Sequence, residues 1–235
     1  MASGHSSDSL PLLMLKPAHI YAENRDWPGY FQAVAGKGPR ETLLAALDAF
    51  RRTPRASQSG SPAFGPNAPS LPLAIDLGCG EGRDTAELLR NNFAVLAIDS
   101  HPQAATLLAV RLDITPEMHT RLRFLQAGFE HLTLPPAALV NASFALPFCP
   151  PAYFAALWGQ ITNSLPPGGL FCGQLFGDQD SWATLPDRSH HTHQQVLDLL
   201  QPFKVIDLKE ENKPGQEFDG TTKHRHVFHI VAAKK

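Results

Sequence analysis

The sequence predicts an α/β fold in which a doubly wound, mostly parallel sheet of seven strands carries helices on both faces. Apolar strand segments alternate along the chain with segments of helical periodicity, and the strands are apolar throughout rather than on one face only. Strands buried on both faces read this way, and parallel neighbours need a crossover helix between them. The last two strand segments have no helix between them, so we expect a C-terminal antiparallel hairpin.

Each element follows from its local pattern. The predicted strands are Leu71–Leu77, Ala94–Ile98, Arg123–Ala127, Ala138–Ala142, Leu170–Leu175, Val205–Lys209 and Arg225–Ala232. The predicted helices are Arg83–Arg90, Pro102–Arg111, Pro151–Ser164 and Thr192–Leu200. The last of these opens with Thr192 and Gln195 at capping-box spacing. A further helix begins after Pro39, and Leu43, Leu44, Leu47 and Phe50 are expected to form its buried face.

The length of 235 residues suits one well-buried domain with a separate front end. Residues 53–69 are dense in Pro, Ser and Gly, a composition that buries too little apolar area to offset the entropy of ordering the chain. We therefore expect an N-terminal extension with a cap or lid helix over residues 1–52, a linker over 53–70 and the main domain over 71–235.

Charge and hydropathy narrow the range of partners. The 20 basic and 22 acidic residues give a formal charge of 20 − 22 = −2, and no basic block occurs, so nucleic acid is not an expected partner. No apolar run reaches the roughly 18 residues that span a bilayer, and the segment from Leu10 lacks a basic leader. We expect a soluble cytoplasmic protein with a small-molecule substrate and no membrane partner, and the oligomeric state is left open.

Neither the cysteines nor the histidines form a metal-binding pattern. Cys79, Cys149 and Cys172 are widely spaced and odd in number, unlike a disulfide framework or a zinc site. Six histidines form two groups, but strand alternation places His224 and His226 on one sheet face and His229 on the other. No metal is therefore expected. The two groups are His190, His191 and His193, and His224, His226 and His229.

The segment from Ala74 to Thr85, AIDLGCGEGRDT, carries the strongest functional signal. An apolar strand runs into Asp76, a turn follows with Gly78, Gly80 and Gly82, and a helix begins at the next residue. This order of elements is typical of a loop that holds a nucleotide-type cofactor.

Charge and spacing indicate which cofactor the loop holds. A dinucleotide fingerprint needs a third glycine at its sixth position, where this chain has Arg83. Asp76, Glu81 and Asp84 would repel a diphosphate but suit a ligand with ammonium and sulfonium groups. S-adenosylmethionine (SAM) is such a ligand. Asp99 ends the next strand, about 20 residues on, where an acid can accept hydrogen bonds from both ribose hydroxyls.

These residues resemble motif I and the second-strand acid of the class I SAM-dependent methyltransferases, which have a Rossmann-like fold. Three further stretches resemble the small methyltransferases of the tellurite-resistance type: VNASFALPFCPP from Val140, GGLFCGQLFGDQDSW from Gly168 and KHRHVFHIVA from Lys223. The resemblance implies a seven-stranded sheet with one reversed strand, the cofactor SAM and the product S-adenosylhomocysteine (SAH).

The resemblance also implies a set of cofactor contacts. The glycine turn would approach the methionine part of SAM, the two motif acids its ammonium, and the second-strand acid its ribose. A segment after the third strand occupies the place where family members contact adenine. The expected cofactor-binding residues are Asp76, Gly78, Cys79, Gly80, Gly82, Asp84, Asp99, Ser100, Gly128, Phe129, Glu130, Asn141 and Ala142.

Four residues are candidates for a catalytic role, although methyl transfer from a sulfonium needs no covalent nucleophile. Asn141 ends the fourth strand, where family members bring cofactor and substrate together, but it also fits a strand-end cap. One of His190, His191, His224 or His226 could border the pocket as a base or a cation, with His191 and His226 taken as the candidates, or all could be ordinary loop or core histidines. Tyr30 lies in a segment that family members use as a lid, or it packs in a core.

The expected function is methyl transfer from SAM to a small molecule. The narrow form of this hypothesis takes tellurite or selenite oxyanions, and the broad form takes a small thiol, amine, hydroxyl or carboxylate. Arg25, Arg40, Arg83 and Arg188 are compatible with an anionic substrate, although most are expected to be solvated. The alternatives are a nicotinamide-dependent oxidoreductase and a non-catalytic SAM-binding regulatory protein.

Overall fold

The computed structural model describes residues 24–52, 64, 70–130, 132–216 and 222–235. The chain divides into two compact units, Met1–Ala35 and Gly36–Lys235. The first contributes helix α1 (Trp27–Val34), where the side chain of Asp26 accepts a hydrogen bond from the Gly29 N–H. The predicted linker lies outside the described residues, apart from Phe64 and Ser70.

The second unit contains the sheet and its covering helices. Its helices are α2 (Glu41–Arg52), α3 (Arg83–Arg90), α4 (Pro102–Ala109), α5 (Pro116–His119), α6 (Pro151–Ser164) and α7 (His193–Leu199). Its strands are β1 (Leu73–Leu77), β2 (Ala94–Asp99), β3 (Leu122–Gln126), β4 (Leu139–Ala142), β5 (Leu170–Gly177), β6 (His190–His191), β7 (Phe203–Gln216) and β8 (Thr222–Lys234).

The strands lie in the order β3-β2-β1-β4-β5-β8-β7. The first five are parallel, and β8 runs antiparallel to both β5 and β7. The predicted doubly wound sheet with a C-terminal hairpin is thus confirmed. The short strand β6 was not expected: His190 and His191 pair with Phe176 and Gly177 at the end of β5.

Two apolar layers cover the two faces of the sheet, as a doubly wound fold requires. On one face Trp158 of α6 lies against Phe171, with ring centroids 5.0 Å apart. On the other, α2 buries Leu43 and Leu47. The expectation that Leu44 belongs to this face is wrong, because its side chain is 42% exposed. Adjacent helical residues point about 100° apart, so one face carries positions spaced by three and four.

The β7–β8 hairpin is longer than predicted, and strand pairing takes up most of the stretch expected to form its connection. The pairing of β8 with β5 ends at Val227, so the earlier residues of β8 extend past the carboxyl end of β5. The extension is tied to the segment after β5 through Asp180. Its carboxylate accepts the N–H groups of His226 at 3.1 Å and Trp182 at 2.9 Å.

We predict that Gly177→Ala destabilises the protein by about 1–3 kcal/mol because the site is already filled. A Cβ at Gly177 would lie 2.1 Å from Cγ of His226, whose ring is fixed by hydrogen bonds to the Gln179 N–H and to Glu210. Urea unfolding measures the change.

Gly159→Ala is the matched control, since a Cβ there meets nothing within 4 Å in the middle of α6. It should stabilise the helix by up to about 1 kcal/mol. Equal effects of the two substitutions would contradict the packing described for Gly177.

Candidate cofactor and acceptor site

The site lies where the strand order reverses, outside the carboxyl ends of β1 and β4. After β1 the chain builds β2 and β3 to one side, and β4 and β5 then fill the other side. The loops that leave β1 and β4 therefore border an open crevice, which is where doubly wound sheets bind ligands. The glycine turn forms one border, and residues 143–149 form the other.

The glycine turn cannot be built from other residues without strain or collision. Gly78, Gly80 and Gly82 have φ angles of 66°, 54° and 85°, in the region that side chains disfavour. A Cβ at Gly78 would come within 2.5 Å of Cβ of Ala145 in the loop after β4. A Cβ at Gly82 would come within 2.2 Å of Leu108 in α4. The turn is therefore pressed closely against both of its neighbours.

Asp99 fastens this turn to the end of β2. Its Oδ2 accepts the Gly80 N–H at 2.9 Å, and its Oδ1 accepts the His101 N–H at 2.8 Å. A carboxylate has about four lone-pair directions, so each oxygen can accept a further bond. The predicted contact between Asp99 and a ribose remains compatible with this position. Ser100, the next predicted cofactor residue, is exposed beside it.

Beneath the turn, two buried carboxylates share one amide group. Asn141 Nδ2 donates to Asp76 Oδ1 at 2.8 Å and to Asp84 Oδ2 at 3.1 Å. The other oxygen of Asp76 accepts the Thr85 hydroxyl at 2.5 Å, and that of Asp84 accepts the Arg40 N–H at 3.0 Å. The network joins the ends of β1 and β4, the start of α3 and the residue just before α2.

Asn141 is a fully buried hub of this network, with a relative exposure of 0%. Its Oδ1 accepts the Ser143 hydroxyl at 2.9 Å and the Cys172 thiol at 3.3 Å, so every polar atom of its side chain is engaged. Ala142 beside it is also fully buried. The position suits a residue that holds the acids in place, and the predicted catalytic role of Asn141 stays a prediction.

The acidic side chains of this loop are buried, so their carboxyl groups have little contact with water. Burial, reinforced by the charge of Asp84, raises the pKa of Asp76 to about 7, against the opposing hydrogen bonds from Thr85 and Asn141. Burial also raises the pKa of Glu81, although Arg83 lies 3.3 Å from its carboxylate. A cation in the crevice would favour the ionised form of these groups. The electrostatics therefore suit a positively charged ligand.

The predicted adenine segment follows β3. Phe129 is half-buried against the core layer that contains Trp158, and Glu130 is exposed. A Cβ at Gly128 would lie 2.4 Å from a carboxylate oxygen of Glu130, so the Glu130 side chain lies over Gly128. The arrangement offers an apolar ring next to a polar group.

The two histidine candidates, His191 and His226, are both buried near the end of β5. His191 packs on Phe154, with ring centroids 4.4 Å apart, and burial lowers its pKa to about 4. His226 uses both ring nitrogens: Nδ1 accepts the Gln179 N–H at 3.1 Å, and Nε2 lies 2.8 Å from Glu210. Within the described ranges, neither forms a hydrogen bond with Asn141. Tyr30 belongs to α1 in the first unit.

Sequence reasoning missed an aromatic cluster beside the loop after β4. Phe176 at the end of β5 lies 6.1 Å from Phe148 and 5.7 Å from Trp182, measured between ring centroids. Arg188 is buried beside these rings, contrary to the expectation that most of the named arginines are solvated. One feature of the sequence could have indicated this cluster. A long connection with aromatic residues follows β5, and such loops often carry function.

The described part of the chain holds neither a metal-binding cluster nor a helix that could cross a membrane. Among the described residues there is no cluster of three or more His, Cys, Asp or Glu side chains that could hold a metal ion. The described helices include none with the length and apolar character needed to cross a membrane.

A family model described as a methyltransferase domain matches residues 74–169, which hold the glycine turn, both acids of motif I, Asp99 and Asn141. These residues therefore form a methyltransferase domain. The predicted class and cofactor are thereby confirmed, and the match decides against the nicotinamide alternative. No curated protein matches the sequence.

Solved methyltransferases share the fold. TehB from Haemophilus influenzae is 13% identical, with a TM-score of 0.65 over 89% of this chain and 67% of its own. The N-methyltransferase NodS from Bradyrhizobium japonicum WM9, in complex with SAH, is 13% identical, with a TM-score of 0.61 over 91% of this chain and 96% of its own.

The match to a third solved methyltransferase covers 100% of this chain and 100% of the other. It is the 1,6-didemethyltoxoflavin-N1-methyltransferase from Burkholderia thailandensis, solved with 1,6-didemethyltoxoflavin and SAH. Its identity to this chain is 18% and its TM-score is 0.57. At these identities the likeness establishes the fold of this domain and leaves its acceptor to be inferred.

We predict that deprotonation of Asp76 lowers the free energy of unfolding of the cofactor-free protein as the pH rises. The pKa of Asp76 is raised from 3.8 to about 7, so between these values the folded state binds more protons than the unfolded state. The contribution of Asp76 to the free energy of unfolding is complete below pH 3.8 and is lost as the pH rises through about 7. Its slope is at most about 1.4 kcal/mol per pH unit.

Urea unfolding of the wild type and Asp76→Asn from pH 5 to 9 measures this contribution. The free energy of unfolding of the wild type should fall relative to that of the variant up to about pH 7 and then run parallel to it. Parallel profiles over the whole range would show that the carboxyl does not titrate as described.

Proposed function

We propose that this protein transfers a methyl group from SAM to a small-molecule acceptor by in-line displacement. The observation that carries the proposal is the pair of buried acids, Asp76 and Asp84, which flank the glycine turn in the chain and share the amide of Asn141. The turn brings backbone within reach of a ligand, and the acids favour a positive charge above them. SAM carries such charge on its ammonium and sulfonium groups.

In this proposal the cofactor extends along the carboxyl ends of β1 and β2. Its methionine part lies at the glycine turn, its ribose at Asp99 and its adenine against Phe129. The hydrogen bonds of Asp99 to the Gly80 and His101 N–H groups support this arrangement, because they fix the carboxylate at the mouth of the crevice before any ligand binds. A fixed group loses less freedom on binding than a mobile one.

The loop after β4 forms the border on the acceptor side. Phe144 has a φ of 52°, which costs a non-glycine residue on the order of 1–3 kcal/mol. It is held there by Gln174, whose Oε1 accepts the Phe144 N–H at 2.8 Å and whose amide donates to Thr42 at 3.0 Å. Arg40 lies 4.6 Å from the centroid of its ring. A strained residue fixed by its surroundings at a crevice is consistent with a binding role.

The reaction requires the protein mainly to hold the acceptor atom and the methyl group in the correct relative position. The acceptor atom attacks the methyl carbon opposite the sulfur, the carbon–sulfur bond breaks, and the positively charged sulfonium leaves as a neutral thioether. Holding the two reactants in line can supply roughly 7–11 kcal/mol of the barrier lowering. The acceptor remains tellurite or selenite in the narrow form, as the sequence resemblance implies, or a small organic nucleophile in the broad form.

Mass-spectrometric detection of SAH and of the methylated product tests the proposal. Purified protein is incubated with SAM and a panel of tellurite, selenite, small thiols, amines, phenols and carboxylic acids. SAH formed together with a methylated panel member supports the proposal, and the product identifies the acceptor class. SAM binding without turnover on a broad panel would instead favour the non-catalytic regulatory protein.

We predict that Asp99→Ala weakens SAH binding by about tenfold or more, because ribose hydroxyls and the Gly80 N–H would lose a charged acceptor. Asp99→Asn, which keeps one carbonyl oxygen, should show a smaller loss. Isothermal titration calorimetry measures both affinities.

Asp48→Ala is the control, because Asp48 lies on the surface of α2 and pairs with Arg51 and Arg52. Its SAH affinity should match that of the wild type. An unchanged affinity in Asp99→Ala would place the ribose away from β2.

A further inference from the structure

Neutral groups hold the two buried acids of the cofactor site. Asn141 Nδ2 donates to both Asp76 and Asp84. The Thr85 hydroxyl donates to the other oxygen of Asp76. The Arg40 N–H donates to the other oxygen of Asp84. Asp76 and Asp84 are 1% and 4% exposed, and neutral donors offset only part of the cost of burying two negative charges this close together.

Burial and neighbouring acids disfavour the ionised form of Asp76. Burial raises the pKa of Asp76 to about 7, and the charges of Asp84 and Glu81 act in the same direction, against the hydrogen bonds from Thr85 and Asn141. A single proton on the pair removes one of the two charges and the repulsion between them. Near neutral pH, a large share of the cofactor-free molecules therefore carry that proton.

The guanidinium groups around the turn have contacts with other residues. Arg83 lies 3.3 Å from the Glu81 carboxylate, and Arg111 donates to the Glu81 carbonyl at 3.0 Å. Cζ of Arg40 lies 4.6 Å from the centroid of the Phe144 ring. Arg83 and Arg111 therefore act on Glu81, whose pKa they lower against the larger effect of burial. A ligand that brings positive charge to the acid pair would add what these contacts do not supply.

Further titratable groups lie around the pair and its turn. Burial and the neighbouring acids raise the pKa of Cys172 in β5 and of Cys79 in the turn well above the ordinary value, so both thiols are uncharged at neutral pH. At the end of β2, Asp99 accepts two backbone N–H groups. His101 precedes α4, where its Nδ1 accepts the Gln103 N–H. A test of proton release must therefore separate this imidazole from the acid pair.

We propose that the cofactor-free site holds a proton on its buried acid pair and that binding of the positively charged cofactor releases this proton to solvent. This inference rests on the proposed function. The O–H bond of the protonated carboxyl breaks, its electron pair stays on the carboxylate, and a water or buffer molecule takes the proton. The ammonium group of the cofactor then supplies the positive charge that favours two ionised acids. The pair therefore makes cofactor binding depend on pH.

The sign of this dependence follows from the number of protons bound in each state. Below about pH 7 the free protein binds more protons than the complex, so cofactor affinity rises with pH in that range. Release of one proton per ligand corresponds to a rise of up to about tenfold per pH unit. Above about pH 8 little of the proton remains to be released, and the affinity levels off. Acidification would thus empty the site of cofactor.

Calorimetric titration of the protein with SAH tests the inference, because SAH carries the ammonium group and binds without reaction. At pH 6, titrations in phosphate and in bis-Tris count the protons, since the two buffers take up a proton with different heats. We expect release of about one proton per SAH, and an affinity that rises from pH 5.5 to 7 and is level from pH 8 to 8.5. 5′-Methylthioadenosine shares the adenosine and the thioether but lacks the ammonium, so it should release no proton.

Three variants assign the proton. Asp76→Asn has the shape of the protonated acid and no proton to lose, so the release should vanish and the affinity profile should flatten. Thr85→Val removes a hydroxyl that favours the ionised form of Asp76, so the rise in affinity should move to higher pH. His101→Asn is the control, because it keeps the N–H that Asp99 accepts and a side-chain oxygen for the start of α4, and its release should be unchanged. Melting temperatures report whether each variant is folded.

SAH binding at pH 6 with no proton release, or with proton uptake, would overturn the inference. So would a release that persists in Asp76→Asn, that disappears in His101→Asn or that 5′-methylthioadenosine matches. Should Asp76→Asn fail to fold or to bind SAH, the position of the affinity profile in Thr85→Val decides, and an unshifted profile would count against the acid pair. Failure of the wild type to bind SAH at any pH would instead count against the proposed function.

Discussion

The hydrogen bonds from the amide of Asn141 to Asp76 and Asp84 are the interaction on which the rest of the site depends. Two carboxylates this deep repel each other and lose hydration, and a neutral donor between them offsets part of both costs. The same amide accepts from Ser143 and Cys172, so it connects β1, β4, β5 and α3 at one point. Removing the amide would leave two buried acids without a shared donor, at a cost of several kcal/mol.

The part of the crevice beyond β4, where we propose that the acceptor binds, is held together in a different way. Its residues come from loops and from a hairpin that extends past the end of β5. Hydrogen bonds that involve backbone groups hold these segments together. Asp180 accepts an N–H from its own turn and another from β8, while Ser189 reaches back to the loop after β4. Variation in these segments can alter this part of the crevice without disturbing the sheet, since functional loops are usually carried on a conserved scaffold.

The sequence predicted the parts of the molecule that local chemistry decides. The periodicities of α3 and α6 predicted both helices to the residue, and Thr192 with Gln195 forms the expected capping box. The order Asp76, glycine turn, Asp99 likewise led to the cofactor class, because each type of residue is required by the ligand. Burial of Arg188 was not predictable, since it follows from pairings between segments about 40 residues apart, such as that of Ser189 with the loop after β4.

The thiol that donates to Asn141 has a consequence for self-protection. A sulfonium cofactor is an alkylating agent, and thiolates are the protein's own most reactive nucleophiles. Burial and the charges of Asp84 and Asp76 raise the pKa of Cys172 well above its usual range, and burial with Asp76, Asp99 and Glu81 does the same for Cys79. Both groups stay protonated at neutral pH. The acids that favour the charged cofactor thus also hold both thiols in their protonated, weakly nucleophilic form.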